Sequence, residues 1–205
     1  MLQTSLEELK KGELPFYNIF EILNIRTYEE KLHTPFLREL LDPNGSHENG
    51  IRFLLSFLEL AHAKTIEESD LSSVHIEEEK ATELGRIDLF LSYQLGLKDH
   101  YLIIENKIYA GDQDKQLERY HSYLTNSLGK SEDQIMLIYL HPNGDLPTSK
   151  SIELHLRDRL MKNRVLKLMS YKGDVYSWLE QNYQSILSIP LKFMIRQYLN
   201  TLEKL

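Results

Sequence analysis

Two acidic residues and a lysine interrupt segments that are otherwise apolar. Asp88 breaks the run Ile87-Asp88-Leu89-Phe90-Leu91, and Glu105 and Lys107 stand two apart at the end of Tyr101-Leu102-Ile103-Ile104-Glu105-Asn106-Lys107. Charged groups are rarely buried without a partner, so three of them in strand-like runs call for a reason. Side chains alternate along a strand, which puts Glu105 and Lys107 on one face with Tyr101 and Ile103, and Asp88 on one face with Phe90. An antiparallel pairing of the two runs then brings the acids together. One outcome is a cross-strand ion pair that needs no metal. The other is a seat for a hard divalent cation: Mg²⁺ takes oxygen ligands and keeps several waters, so two carboxylates and a carbonyl are enough protein. A lysine among carboxylates stays protonated, so Lys107 would act through its charge and not as a base.

A helical stripe follows directly. Gln113, Gln116, Leu117, Tyr120 and Leu124 recur at i, i+3, i+4, i+7 and i+11, so one helix face mixes Leu with Gln and Tyr and turns inward. These polar groups either border the acids or cap a sheet edge while Tyr120 packs in the core. Asp112, after Gly111, reads as the N-cap of a helix over residues 112–128.

The elements that must hold these residues can be read in order. Residues 16–24 have a short helical period, Thr34-Pro35 opens a helix that Asp42-Pro43-Asn44-Gly45 closes, and residues 50–63 form a third. After a polar loop at 67–73, residues 74–82 read as an acidic edge strand, 86–93 as a second strand and 100–108 as a third, joined as an antiparallel meander. Glu77 and Glu79 fall on one face of the edge strand, as a guard against edge pairing or as a further ligand. Residues 134–140 have the continuous apolar character of a strand buried on both faces, and a strand, helix, strand order predicts parallel pairing. A helix around 158–162, a strand at 165–170 and helical segments to the end complete the pattern, with Trp178 in the core and His33 structural. The basic stretch 157–172 is either a phosphate-facing surface or a solvated face.

Composition bounds the answer. With 205 residues, 41% of them hydrophobic, the chain suits one domain, with N-terminal helices (1–66), a core (74–170) and C-terminal helices (171–205). There is no Cys, hence no thiol nucleophile and no Cys zinc site, and no phosphate-binding glycine loop, G-x-S-x-G or H-E-x-x-H occurs. No apolar run reaches the roughly 18–20 residues of a membrane span, and the start lacks a signal-peptide layout, so no membrane partner and a cytoplasmic location are expected. The net charge of -7 disfavours a surface that grips nucleic acid throughout, but not a local groove.

The order Asp88, Glu105-Asn106-Lys107, then Gln116 and Tyr120 resembles the PD-(D/E)XK nuclease superfamily. The segment 32–47, ending in Leu41-Asp42-Pro43-Asn44-Gly45-Ser46-His47, is similar to the opening of one bacterial branch of it. The resemblance implies an α/β, restriction-endonuclease-like fold: a mixed sheet of four to five strands flanked by helices, with extra helices at both ends. It implies a nuclease that hydrolyses DNA phosphodiesters, RNA remaining open, as an endonuclease leaving 5′-phosphate. The cofactor would be Mg²⁺, with Mn²⁺ as a substitute, held by Asp88 and Glu105 with the backbone carbonyl of Asn106, and Lys107 would lie near the nucleophilic water. Gln116 and Tyr120 match a Gln-x-x-x-Tyr that borders the site in the superfamily's exonuclease-like branch, and Gln113 would assist. Glu30, with Glu29 beside it and Glu39 on the helix, corresponds to the acid from the first helical region that completes the metal or water shell. His47 corresponds to a histidine facing metal or phosphate, although Glu48-Asn49-Gly50 departs from the glycine that usually follows. A catalytically inactive binding module of the same fold is the alternative.

Overall fold

A computed structural model describes residues 17–205, and Phe16, with which the first expected helix begins, lies outside the described residues. Among the described residues the elements run α1 (Ile19–Ile22), α2 (Thr34–Leu41), α3 (Arg52–His62), β1 (Leu71–Thr82), β2 (Gly85–Leu95), β3 (Lys98–Asn106), α4 (Gln116–Ser122), β4 (Ile135–His141), α5 (Leu154–Lys162), β5 (Leu166–Ser170), α6 (Tyr176–Tyr183) and α7 (Ile189–Leu202). The five strands form one sheet in the order β1-β2-β3-β4-β5. The first three pair antiparallel and the last two join in parallel, which is the mixed α/β sheet the sequence predicts. No helix among the described residues is long and apolar enough to cross a membrane.

The meander follows from its turns. Leu95 pairs with Lys98 across Gly96-Leu97, and Gly96 takes φ +63°, a conformation that costs glycine little. The third strand therefore starts at Lys98, two residues before the expected boundary, and Asp99 belongs to it. β4 is buried along all but its last residue, as its unbroken apolar run requires of a strand covered on both sides.

Each face has its own core. Leu89, Leu91, Leu102, Ile104, Met136 and Ile138 pack against α2, α3, α6 and α7, whereas Phe90, Ile103, Leu137 and Tyr139 pack against α4 and α5. Trp178 is buried among Phe53 and Phe57, and its indole N–H donates to Ser56 Oγ at 2.9 Å. His33 is also structural: Nδ1 meets the Tyr198 hydroxyl at 2.8 Å and Nε2 the Arg26 carbonyl at 2.7 Å, and burial pushes its pKa down to about 4. Each large apolar side chain in these cores contributes about 1.5–3 kcal/mol. Together they offset the burial of Glu105 and Lys107, which costs several kcal/mol per ion, roughly, before the pair is formed.

Two helix starts differ from expectation. Thr34 is not an N-cap, because its backbone is already helical (φ -64°, ψ -50°): the chain turns through a wide helical loop at Glu29–His33 and continues into α2. Residues 112–115 are not helical either, and Lys115 has φ +49°. Asp112 instead accepts from Thr148 N–H and Oγ1 (both 2.7 Å) and from the Tyr139 hydroxyl (3.1 Å), while Lys115 N–H donates to Lys150 O (2.7 Å) and Leu117 N–H to Ser151 O (3.1 Å). A loop remote in sequence thus satisfies the exposed amides at the start of α4. The basic stretch 157–172 spends part of its charge internally, with Arg157 on Asp158, Arg159 on Glu132, and Lys167 on the Leu60 and Ala61 carbonyls.

Candidate active site

The site lies where β2 and β3 part. Their pairing runs regularly from Leu95 and Lys98 to Leu89 and Ile104 and then ends, while β3 stays paired with β4 through Asn106 and Leu140. Asp88 fills the gap: its Oδ2 accepts the Asn106 N–H at 2.8 Å, so a side chain takes the donor that the neighbouring backbone no longer meets. Glu79 stands opposite Asp88, between the Glu78/Leu89 and Lys80/Ile87 pairs, with φ +53°. Alternation breaks here, since Ile87 and Phe90 both pack beneath α4 while Leu89 packs on the other face. Asp88 therefore sits at an irregularity and not on a simple shared face with Phe90.

Glu105 and Lys107 are brought together as their spacing requires. Glu105 is 1% exposed, and its Oε1 lies 2.7 Å from Lys107 Nζ. The ammonium stands off the hydrogen-bonding direction, so Oε1 has an ion-pair partner but no aligned donor. Its other oxygen, Oε2, is 2.8 Å from the Tyr120 hydroxyl, which also lies 2.7 Å from the Arg86 carbonyl and accepts from Gln116 Nε2 at 3.1 Å. Gln116 and Tyr120 are thus both buried at the site, and Gln116 Oε1 has no hydrogen-bond partner. Gln113 is exposed and meets Arg119 instead. Tyr120→Phe removes the one proton shared by two acceptors, and the expected cost is about 1–3 kcal/mol of stability, read as a lowered midpoint in thermal or urea unfolding.

The charges are set against one another. Burial, together with the charge on Glu105, pushes the Asp88 carboxyl up to about 8, against the Asn106 N–H and Lys107, which lower it. Burial raises Glu105 as well, opposed by Lys107 and by the Tyr120 hydrogen bond. Burial also works to lower Lys107, but Glu105, Asp88 and Glu29 outweigh it and hold the ammonium above its ordinary value. Lys107 is therefore a fixed positive charge at neutral pH. The two carboxylates remain crowded, with a buried oxygen lacking an aligned donor, and such a donor set fits a hard cation. Among the described residues no group of three or more His, Cys, Asp or Glu side chains is arranged to hold a metal. The candidate ligands here number two carboxylates, with the Asn106 carbonyl as a third oxygen.

The other candidates lie elsewhere. Glu30 is 61% exposed and pairs with Arg86, which also holds Glu79 at 2.6 Å. Glu29, one residue earlier, faces the site: its Oε1 accepts from Ile108 N–H at 2.5 Å and Ala110 N–H at 3.5 Å, and its charge acts on Glu105 and Lys107. The resemblance pointed to Glu30 with Glu29 beside it, and the structure turns Glu29, not Glu30, toward Glu105 and Lys107. With the helical path extended back to residue 29, Glu29 continues the buried stripe of His33, Leu37 and Leu40, which is the signal that could have found it. His47 is not brought to the acids. Its Nε2 meets the Asp42 carbonyl at 2.9 Å and its Nδ1 accepts from Asn49 N–H at 3.0 Å, so it closes the 42–49 turn.

Comparison with known proteins gives one result. A family model described as the PD-(D/E)XK nuclease superfamily matches residues 17–200. No curated protein and no solved structure matches the chain.

Proposed function

The chain belongs to the PD-(D/E)XK nuclease superfamily, and from that premise we propose that it is a metal-dependent nuclease that hydrolyses DNA phosphodiester bonds. The observation that carries this reading is the convergence of Glu105, Lys107 and Asp88 at the parting of β2 and β3. Asp88, Glu105 and the Asn106 carbonyl would hold Mg²⁺, or Mn²⁺ in its place. When bound, the cation supplies activation of a water and neutralisation of charge on the scissile phosphate. Lys107, kept protonated by its acidic neighbours, orients the attacking water and offsets negative charge as phosphorus becomes five-coordinate. Tyr120 and Gln116 fix the Glu105 carboxylate on its other oxygen.

Glu29 is the acid of the first helical region that serves this site, and Glu30 is a surface partner of Arg86. The test is an assay on linear, circular and branched DNA and on RNA, with Mg²⁺ and with chelator. Metal-dependent cleavage of DNA is expected. Cleavage of RNA alone would move the substrate class, and no cleavage of any substrate would overturn the reading. In the same assay Glu29→Gln is expected to lower turnover by about 10–100-fold, while Glu30→Gln stays within about threefold of the parent. Equal losses in the two variants would reject the assignment to Glu29.

A further inference from the structure

Asn106 lies between Glu105 and Lys107 in sequence, and alternation sends its side chain to the opposite face of the sheet, into the apolar layer under α2 and α7. It is 0% exposed there, yet it carries an amide. Both ends of that amide are engaged: Nδ2 donates to Thr34 Oγ1 at 2.6 Å, and Oδ1 accepts from the Tyr171 hydroxyl at 2.7 Å. Both partners are themselves fully buried. A leucine of similar size would fill this layer without needing partners, so packing alone does not account for an amide.

The backbone of the same residue borders the site. Its N–H donates to Asp88 Oδ2, and Lys107 N–H points the other way, to Leu140 O at 2.8 Å. In an extended strand the N–H and C=O of one residue point to the same edge, so the Asn106 carbonyl faces the same gap as Asp88. We propose that the Thr34–Asn106–Tyr171 hydrogen-bond brace is a positioning device: it fixes the tilt of the Asn106 peptide, and through it the placement of Asp88 and of the carbonyl that faces it. The brace rests on the reading of this site as a nuclease centre. It also explains how elements remote in sequence act on it. Thr34 follows directly on the helical loop that carries Glu29, and Tyr171 follows β5, with its ring 5.0 Å from that of His33. The strand that bears Glu105 and leads into Lys107 is thereby pinned from two sides by groups that are themselves fully buried.

The test is the combined variant Thr34→Val, Asn106→Leu and Tyr171→Phe. All three polar groups go together, so none is left buried without a partner, and the unfolding midpoint is expected within about 4 °C of the parent. Turnover is expected to fall about 10–100-fold with KM within about threefold. Hydrogen exchange at the Asn106 amide, which reports its bond to Asp88, is expected to quicken by about tenfold or more. Parent-level turnover per folded molecule, or an unchanged Asn106 amide, would overturn the proposal. If the combined variant does not fold, Tyr171→Phe alone removes a single oxygen and is read by the same two measurements. If the parent itself cleaves nothing, the nuclease reading fails, and the amide exchange alone decides whether the brace holds the peptide.

Discussion

Lys107→Met is expected to lower turnover by about a thousandfold, the loss that results when a preorganised charge is removed from a dry site. Methionine keeps the unbranched stem and removes only the ammonium. The same change strips Glu105 of the cation 2.7 Å from its Oε1, and breaking a buried pair from one side costs about 3–5 kcal/mol. A loss of activity could then reflect nothing more than unfolding, so the informative comparison adds Glu105→Gln. The double variant removes both charges and is expected to recover most of the stability while recovering none of the turnover. Unfolding midpoints and single-turnover cleavage on the same preparations separate the two effects. Single-variant turnover within tenfold of the parent would sink the assigned role of Lys107.

The second large effect is on stability. The Asp88 carboxyl sits at about 8 in the folded chain because of burial and the Glu105 charge, whereas the unfolded chain has it near its ordinary 3.8. Between these values the folded state holds a proton that the unfolded state has released, so stability falls as pH rises through that window. The full penalty is present above about pH 8. Asp88→Asn removes the group and should stabilise the metal-free protein at pH 9 by about 2–3 kcal/mol relative to its effect at pH 5. That is part of what the whole displacement would give, since water still reaches some of the carboxylate. Glu105, Lys107 and Glu79 act on the same carboxyl and remain in the variant, so residual pH dependence is theirs. Adding Mn²⁺ supplies the missing positive charge, so it should raise the parent's unfolding midpoint most at high pH and raise that of Asp88→Asn much less. Unfolding curves for parent and variant that run parallel from pH 5 to 9 would contradict the assignment.

Much of this site was legible before any coordinates. Glu105 and Lys107 had to share a side because a strand has a period of two, and Gln116 with Tyr120 had to share one because a helix repeats every 3.6 residues. Both pairs meet as their spacing demands. The misplacements have different origins. Glu30 and His47 were carried over from the family resemblance, and His47 is held instead within its own turn by the Asp42 carbonyl and the Asn49 N–H, whereas the capping role of Asp112 assumed a helix boundary that is set by partners far along the chain. The helical path starts at residue 29 and not at 34, and the start of α4 is satisfied by residues 150 and 151, so the predicted cap has nothing to cap. The engagement of the Asn106 side chain escaped notice because a buried polar side chain next to a charged pair has no periodic signature of its own.

What the sequence determined by itself is therefore the local, periodic part: which segments are strand or helix within their interiors, which faces are apolar there, and that Glu105 and Lys107 must point the same way. The tertiary structure alone decided where β2 leaves β3, and that departure turns a paired strand into a gap lined by Asp88, Glu105 and the Asn106 peptide. It also decided which acid of the Glu29-Glu30 pair looks inward. Both depend on contacts between segments tens of residues apart, made only once the two cores have closed on the sheet, and no rule of spacing within one segment encodes them.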